Sequence, residues 1–289
     1  MVVRRYSSFY YVQSGNRIWE CKLRGKYRLV KVDVIAGDRV FFEDLNGGQG
    51  IIKEVFPRKT ELYRPAIANV SQLLIVSSLK QPSLNLALID RLLLLAAYTG
   101  LTSILAFNKV DLVKDDEAIL KQAEIYAKLG YSTCFTSAKQ GIGLDKLQLL
   151  LKEQITVLAG PSGVGKSSLL NTLQPELSLQ TGSVSDKAQI GKHTTRHVQL
   201  IPLDYGGFVA DTPGFSRLDL PKDLRREDLT YYFPEMEKLH GLCKFNTCLH
   251  KQEPGCKIKQ AVQDGVIEEW RYNNYLVFLN EVIAKERSY

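Results

Sequence analysis

The sequence predicts an α/β fold in three parts, with a parallel-sheet core between a small N-terminal β-barrel and an α-helical C-terminal domain. Three observations support this prediction. Short β-rich runs crowd the start of the chain, apolar strands alternate with amphipathic helices after Pro65, and strand-like runs stop near Leu220, before a cluster of cysteines. We place the three domains at residues 1–65, 66–222 and 223–289.

The composition fits a globular, basic chain. At 289 residues and 45% hydrophobic content, it can bury more than one core. The formal net charge is +7, and residues 1–65 hold 13 Lys or Arg against 7 Asp or Glu, which suits an anionic partner such as RNA. No segment approaches the roughly 20 apolar residues that span a bilayer, and the start lacks the apolar core of a signal peptide. We expect a cytoplasmic protein with no membrane contact.

The first domain is predicted to be a β-barrel. Five β-rich runs are separated by turn residues at SGN, AGD and NGGQG, and they are YYVQ, RIWECKL, RLVKVDV, RVFFED and GIIKEVF. An OB-like barrel is favoured, although an SH3-like barrel would show nearly the same pattern. The basic candidates for RNA phosphate contact, which could equally form a solvated face, are Arg4, Arg5, Lys22, Arg24, Lys26 and Arg28.

The second domain alternates strands and helices. The apolar strands are VSQLLIVSSL, TSILAFN, YSTCFTS and ITVLAG, and the helices between them are LNLALIDRLLLLAAYTG, Asp115–Leu129 and Leu144–Lys152. This alternation predicts a parallel sheet with helices on both faces. In the third domain, a single terminal helix is expected from about Ile258 to Lys285.

A glycine-rich phosphate loop follows the strand ITVLA. The motif G-x-x-x-x-G-K-[ST], with one further serine, is formed by Gly160, Pro161, Ser162, Gly163, Val164, Gly165, Lys166, Ser167 and Ser168. Glycines allow backbone N–H groups to surround phosphates at a helix N-terminus. We expect Lys166 to reach the β- and γ-phosphates and the Ser167 hydroxyl to bind Mg²⁺.

Two further loops predict a guanine site. Asn108, Lys109 and Asp111 form N-K-x-D at the end of the strand SILAF. The Asp111 carboxylate can accept hydrogen bonds from the ring N–H and exocyclic amine of guanine, which adenine does not offer in that arrangement. Asn108 would contact the other edge of the base, and the Lys109 stem would lie over it. The triplet Ser137, Ala138 and Lys139 ends the strand YSTCF, where translation-factor-type GTPases have their second guanine loop.

Two polar segments near the phosphate loop are candidates for switches. Asp211, in Asp-Thr-Pro-Gly, offers a carboxylate near Mg²⁺, and Gly214 offers an N–H for the γ-phosphate. Upstream, a threonine in GKHTT is expected on Mg²⁺; Thr195 is favoured, with Thr194 as the alternative.

The expected water-orienting residue is not a glutamine. Many GTPases have Gln after Asp-x-x-Gly, but this chain has Phe215, whose ring cannot hydrogen-bond to water. His193, in the upstream switch segment, is the catalytic candidate, with a solvated loop residue as the alternative.

The motifs occur in an unusual order. The base-reading loops come first, the phosphate loop second and the switches last, whereas ordinary GTPases begin with the phosphate loop. A circular permutation preserves every spatial contact, because the termini of compact domains often lie close together. Its consequence is that the segment responding to the γ-phosphate leads directly into the C-terminal domain.

The cysteine cluster predicts a metal site. Cys243, Cys248, His250 and Cys256 lie within fourteen positions and supply three thiolates and one imidazole. Four such ligands form the complete tetrahedral set of a structural zinc, with no open position for catalysis. We expect zinc to hold this domain folded, and its loss to unfold residues 230–289 selectively.

With these motifs together, the sequence resembles the RsgA (YjeQ/YloQ-type) family of bacterial small-ribosomal-subunit-dependent GTPases, over its whole length. The resemblance implies a cytoplasmic, Mg²⁺-dependent GTPase that binds GTP, GDP and rRNA, and carries one structural zinc. It also implies a role late in small-subunit maturation, with hydrolysis stimulated by the ribosomal particle. A monomer that binds no DNA is expected.

Two other functions are consistent with parts of the sequence. An RNA-binding assembly protein could use GTP only as a conformational switch, which the phenylalanine after Asp-x-x-Gly would permit. A P-loop metabolite kinase is disfavoured, because N-K-V-D and S-A-K would have no task in it.

Overall fold

The structure is a computed structural model that describes residues 1–25, 33–63, 65–113, 115–175, 198–211 and 219–287, apart from the side chains at positions 63 and 211. The described strands are β1 (Val2–Tyr6), β2 (Phe9–Ser14), β3 (Arg17–Leu23), β4 (Val40–Asp44), β5 (Gln49–Val55), β6 (Glu61–Tyr63), β7 (Ala66–Ala68), β8 (Gln72–Ser78), β9 (Thr102–Asn108), β10 (Ser132–Thr136), β11 (Ile155–Ala159), β12 (Gln199–Pro202) and β13 (Phe208–Asp211). The α-helices are α1 (Leu86–Tyr98), α2 (Glu117–Lys128), α3 (Leu144–Leu151), α4 (Lys166–Leu173), α5 (Pro234–Glu237), α6 (Lys257–Gln263) and α7 (Glu269–Glu286). Single 3-10 turns cover Val110–Leu112 and Leu229–Tyr232.

One sheet runs through the barrel and the core in the order β10-β9-β8-β11-β13-β12-β1-β2-β3-β5-β4. Strands β10, β9, β8, β11 and β13 are parallel, and β12 is antiparallel to β13. The barrel joins the core where β1 pairs with β12, with Arg4 opposite Gln199. The carboxyl ends of the parallel strands therefore meet at one edge, where loops of an open α/β sheet bind ligands.

The N-terminal strands form the predicted OB-like barrel. Their order is β1-β2-β3-β5-β4, and β3 pairs in parallel with β5, which a simple antiparallel meander cannot produce. The buried centre is formed by Val2, Tyr10, Val12, Cys21, Leu23, Val34 and Ile52. A short antiparallel hairpin of β6 and β7 follows the barrel, across the position where we placed the first domain boundary.

One strand of the barrel was missed, and one predicted strand lies mostly outside the described residues. The first strand, β1, was not predicted, because two arginines interrupt its short apolar start. The run RLVKVDV was predicted as a strand; positions 28–32 lie outside the described residues, and Asp33 and Val34 are not in a strand. Val34 is nevertheless fully buried, so its apolar character reflects packing into the barrel.

Helices cover both faces of the parallel sheet, as predicted. Alternate residues of β8 point to opposite faces: Leu73 and Ile75 pack with α1 and α2, whereas Leu74 and Val76 pack with α3 and α4. Helix α1 begins where Asn85 caps its first turn by accepting the N–H of Leu88. The result is a three-layer core that fixes the strand ends rigidly.

The C-terminal domain has its own apolar cluster, which includes Phe233, Met236, Tyr275 and Phe278. The prediction of one terminal helix was wrong. Helix α6 ends at Gln263 and α7 begins at Glu269, with Gly265 between them at φ +70°. A left-handed residue ends an α-helix, and glycine adopts that conformation without a Cβ penalty.

A buried ion cluster joins the C-terminal domain to the core. Arg271 of α7 is 1% exposed and donates to Asp90 of α1 at 2.5 Å and to Glu235 of α5 at 2.7 Å. Tyr126 of α2 and Asn274 also donate to Asp90. Burial raises the pKa of Asp90, against the opposing effect of the arginine. Helix α7 is therefore bound to α1 directly and to α2 through Asp90, which accepts from all three side chains.

Among the described residues, no helix combines the length and apolarity needed to cross a bilayer.

Candidate nucleotide site and metal site

The phosphate loop connects β11 to α4, as the motif requires. Helix α4 begins at Lys166, so backbone N–H groups and the helix N-terminus face the loop interior. The Lys166 ammonium donates to the carbonyl oxygens of Gly160 and Pro161, at 2.7 and 2.8 Å. Burial lowers the pKa of Lys166. The ammonium thus lies inside the loop, where the oxygen atoms of a phosphate could replace these carbonyls as its hydrogen-bond acceptors.

Two glycines of the motif are required by close approaches of the backbone. Gly160 has φ +135°, and a Cβ there would lie 2.1 Å from the carbonyl oxygen of Val76. Gly165 has φ +98°, and its Cβ would lie 2.3 Å from the Asn108 amide nitrogen. The loop is therefore shaped against the backbone of β8 and against the Asn108 side chain at the end of β9, and both glycines also have a positive φ that other residues rarely adopt.

Asn108 ties the base loops to the phosphate loop. Its side chain is 1% exposed, and Nδ2 donates to the carbonyl of Val164 at 2.8 Å. Oδ1 accepts from the Thr136 hydroxyl and from the Ala138 N–H, both at 3.3 Å. Three loops that are distant in sequence are consequently joined by one amide.

Lys109 and Asp111 lie on either side of this junction. Lys109 has φ +64°, and its ammonium donates to the Gly163 carbonyl at 2.7 Å and to the Gln81 carbonyl. The Ser137 hydroxyl donates to Asp111 Oδ1 at 2.6 Å, which orients the carboxylate. The structure thus brings together the two predicted base loops and the predicted phosphate loop.

The structure describes only some of the remaining residues that were predicted to bind the nucleotide. Ser167 and Ser168 lie in the first turn of α4, and Lys139 is exposed at the end of the second base loop. Asp211 ends β13, beside β11, but its side chain is not described. His193, Thr194, Thr195, Gly214 and Phe215 lie outside the described residues.

Three residues that contact the site were not predicted from the sequence. Gln81 accepts from Lys109, the Thr136 hydroxyl donates to Asn108, and the Thr172 hydroxyl donates to the Ala138 carbonyl at 3.3 Å. Thr136 immediately precedes the S-A-K triplet, so its position next to a base loop was the available signal. The other two contacts join separate elements and have no local sequence signature.

The predicted metal ligands converge. The ligand atoms of Cys243, Cys248, His250 and Cys256 all lie within 4.8 Å of one another. Cys243 Sγ is 3.6 Å from His250 Nδ1 and 4.0 Å from Cys256 Sγ, and His250 Nδ1 is 3.4 Å from Cys256 Sγ. A tetrahedral zinc with bonds of about 2.3 Å to sulfur and 2.0 Å to nitrogen needs edges of about 3.8 and 3.5 Å. These residues therefore fit a zinc ion.

The electrostatics of this cluster also suit a dication. Burial raises the pKa of the Cys248 thiol to about 12, raises that of Cys256, and lowers that of His250. These shifts favour the neutral forms of Cys248, Cys256 and His250, and a dication at the centre of the cluster would favour the thiolate forms. Backbone N–H groups of Lys257 and Lys259 already point at the sulfurs of Cys243 and Cys256.

The turn that carries His250 is held by its neighbours. Both carboxylate oxygens of Glu253 accept backbone N–H groups, from Leu249 at 2.8 Å, Lys251 at 2.8 Å and Gln252 at 2.9 Å. The hydroxyls of Tyr272 and Tyr275 on α7 donate to the carbonyls of His250 and Leu249. This support stabilises the left-handed conformation of His250, at φ +59°.

Comparisons with known proteins identify the family. A family model described as RsgA GTPase matches residues 55–221, and one described as the RsgA N-terminal domain matches residues 1–52. Two relatives named "Small ribosomal subunit biogenesis GTPase RsgA" are 50% identical over 288 residues, from Moorella thermoacetica, and 45% identical over 289 residues, from Carboxydothermus hydrogenoformans. These matches cover 100% of this chain and 98% and 99% of the relatives.

Solved structures agree. The crystal structure of YjeQ from Thermotoga maritima superimposes with a TM-score of 0.83 at 38% identity, covering 98% of this chain and 97% of that one. YloQ, described as a circularly permuted GTPase, gives 0.83 at 37% identity, covering 98% and 94%. The order of the loops around the sheet, the converging base and phosphate sites and these full-length matches have one explanation: the chain belongs to the RsgA family of circularly permuted GTPases.

Proposed function

We propose that this GTPase acts in the biogenesis of the small ribosomal subunit, in the cytoplasm and as a monomer, and that the ribosomal particle stimulates its hydrolysis of GTP. The names of its full-length relatives and its basic N-terminal barrel support this proposal. The three-part division at 1–65, 66–222 and 223–289 assigns RNA contact to the barrel, nucleotide binding to the core and a zinc-stabilised surface to the C-terminal domain.

The observation that carries the nucleotide assignment is the Asn108 junction. Because this amide joins both base loops to the phosphate loop, a nucleotide bound at Asp111 places its phosphates at Lys166 without rearrangement of the strand ends. Asp111 would accept from guanine N1–H and its exocyclic amine, with Ser137 holding the carboxylate. Preformed loops of this kind lower the entropic cost of binding.

The phosphate chemistry follows from the same geometry. Lys166 and the N–H groups at the start of α4 would neutralise charge on the β- and γ-phosphates as the terminal P–O bond breaks. Ser167, Asp211 and Thr195 would hold Mg²⁺, which supplies further charge neutralisation when bound with GTP. Gly214 would donate its N–H to the γ-phosphate.

His193 is the proposed water-orienting residue, on sequence grounds. With Phe215 in the position usually held by Gln, the active site lacks its ordinary water ligand, so basal hydrolysis should be slow. A partner that orders the upstream switch segment would bring the imidazole to the attacking water. This arrangement explains why hydrolysis would depend on the particle.

The test is GTP turnover with purified small or large ribosomal subunits. We expect stimulation by the small subunit alone, loss of stimulation in His193→Ala with unchanged GTP affinity, and loss of nucleotide binding in Lys166→Ala. Equal turnover with and without small subunits would contradict the proposal, and would favour GTP as a conformational ligand only. Unchanged stimulation in His193→Ala would remove that residue from the mechanism.

A further inference from the structure

The second base loop, residues 137–143, is closed on itself. Ser137 and Ile142 exchange two backbone hydrogen bonds, each at 3.1 Å. Gly143 then turns the chain at φ +70°, where a Cβ would lie 2.0 Å from the carbonyl oxygen of Phe135. Because a closed loop moves as a unit, the contacts that fix it to its neighbours decide where its predicted guanine-binding residues lie.

Hydrogen bonds to two different elements hold this loop. The first base loop receives the Ser137 hydroxyl at Asp111, at 2.6 Å, and the Ala138 N–H at Asn108, at 3.3 Å. Helix α4 supplies a further contact, because the Thr172 hydroxyl donates to the Ala138 carbonyl at 3.3 Å. The backbone of Ala138 is thus held at its N–H by the end of β9 and at its carbonyl by α4.

The Thr172 hydroxyl joins the base loop to the helix of the phosphate loop. It also reaches the carbonyl of Ser168, one helical turn earlier, at 2.8 Å. A hydroxyl has one hydrogen, so Ser168 and Ala138 share it as acceptors in a three-centre bond. Helix α4 begins at Lys166, so one helix contacts the proposed phosphate end of the site at its start and the base loop near its end.

Apolar packing surrounds this hydrogen bond. Leu169 of α4 and Leu147 of α3 belong to one buried cluster, and Ala138, Leu144 and Leu173 pack against it. These contacts do not involve the Thr172 hydroxyl, which lies on the exposed side of the helix. Removal of the hydroxyl should therefore leave the helix and the loop folded and change only the directional contact on Ala138.

We propose that Thr172 is a positioning residue that sets the lifetime of bound GDP by holding Ala138, and with it the second base loop, against α4. The inference rests on the proposed guanine site and gives Thr172 no contact with the nucleotide. With the hydroxyl present, the loop is ordered before the base arrives; without it, part of the binding free energy is consumed in ordering the loop. Such losses are expressed mainly in the dissociation rate.

A purely structural role for Thr172 has different consequences. If the hydroxyl only stabilised α4 through Ser168, its loss would disturb the start of the helix and weaken every ligand of the phosphate loop. If it holds the base loop, its loss weakens ligands that carry a guanine base. Binding of inorganic pyrophosphate, which offers phosphates alone, is then unaffected.

The test uses the full-length, zinc-bound chain loaded with a fluorescent GDP analogue, whose release is followed after addition of excess GDP. Thr172→Val keeps the β-branched shape but removes the hydroxyl. It should release the analogue roughly two- to fivefold faster, the lower part of the range for a neutral hydrogen bond, because Thr172 is exposed and shares its hydrogen. Thr172→Ser keeps the hydroxyl and should release it at the wild-type rate.

The matched control is Thr99→Val at the end of α1. The Thr99 hydroxyl also donates to helix carbonyls, those of Leu95 at 2.8 Å and Ala96 at 3.0 Å, but these belong to α1 and not to a base loop. This variant should release the analogue like wild type. Equal acceleration in Thr99→Val would mean that the effect comes from helix stability alone.

Two further measurements separate positioning from folding. In steady-state turnover, Thr172→Val should raise KM for GTP by the same two- to fivefold, with kcat unchanged, because the lost contact supports the ground state and the transition state equally. The inhibition constant of inorganic pyrophosphate against the analogue should equal that of the wild-type protein.

A wild-type release rate in Thr172→Val, equal acceleration in Thr172→Ser, or a matching loss of pyrophosphate affinity would overturn the inference. If the wild-type protein bound no GDP, the proposed guanine site would fail, and this inference with it. If the wild-type protein binds GDP and Thr172→Val releases it at the same rate, only the role of Thr172 fails.

Discussion

Replacement of Asp111 by asparagine tests the base site most directly. Ser137 donates its hydroxyl hydrogen to Oδ1 of Asp111, so an asparagine is favoured with its carbonyl oxygen in that place and its amide NH₂ towards the base. Guanine presents its exocyclic amine at this position, so the asparagine NH₂ would face another hydrogen-bond donor. Xanthine presents a carbonyl oxygen instead, and would receive a hydrogen bond.

The magnitude follows from the lost contact. One charge-assisted hydrogen bond contributes about 1.5–3 kcal/mol, and an unsatisfied donor at the interface costs about 1–3 kcal/mol more. A total of about 3–5 kcal/mol corresponds to a roughly hundredfold to few-thousandfold loss of GDP affinity. The affinity of Asp111→Asn for xanthosine diphosphate should be higher than that of the wild-type protein.

The assay is displacement of a fluorescent GDP analogue by GDP, xanthosine diphosphate and ADP. The matched control is Asp115→Asn, an exposed carboxylate four positions further on, which should leave all three affinities unchanged. If Asp111→Asn kept wild-type affinity for GDP and wild-type discrimination against xanthosine diphosphate, the assignment of the base site would be wrong.

Four further predictions concern the C-terminal domain. Chelation of zinc should raise hydrogen exchange in residues 230–289 before the nucleotide domain is affected, and Glu253→Ala should lower zinc affinity in a competition titration while Gln252→Ala does not. Arg271→Met leaves two buried carboxylates unpaired and should lower the free energy of unfolding in urea by about 3–5 kcal/mol; a loss below 1 kcal/mol would show that the cluster contributes little. Although burial opposes it, hydrogen bonds from Arg91 and Lys285 lower the pKa of Glu281, so its stabilisation exists above the ordinary pKa of about 4.3 and is lost as pH falls below it. Thermal melts between about pH 6 and pH 3 should therefore fall less steeply for Glu281→Gln than for wild type, and parallel curves would contradict this.

The sequence predicted which loops come together at the sheet edge better than it predicted the strands of the barrel. The phosphate and base loops have local sequence signatures. Each is a short motif that requires particular residue types, such as the glycines at positions 160 and 165 and the carboxylate of Asp111. These motifs also carried the family resemblance and the fold class, and the comparisons confirmed both. Strand β1 and the break near Gly265 were missed, since alternation is weak in a five-residue strand and a single glycine inside a helical pattern is only a weak signal of a break.

Contacts between domains had no signal in the sequence. Arg271 and Asp90 are 181 positions apart, and a buried arginine in an otherwise amphipathic helix cannot be told from a solvated one by periodicity. The convergence of Cys243, Cys248, His250 and Cys256, by contrast, was predictable because all four lie in one short stretch of the sequence. The roles of the individual nucleotide and zinc residues remain predictions.

The permuted order has a structural consequence in helix α7. Strand β13 ends at Asp211, and nine positions later Leu220 is bound to α7: its carbonyl accepts from Lys285 at 2.9 Å and its N–H donates to Glu281 at 3.4 Å. Glu281 also accepts from Arg91 of α1 at 2.6 Å. A displacement of Leu220 must therefore move α7 or break these bonds, because Leu220 is hydrogen-bonded directly to that helix. Tyr272 and Tyr275 of α7 also donate to the carbonyls of His250 and Leu249, so Leu220 and the Cys/His cluster are joined through one helix.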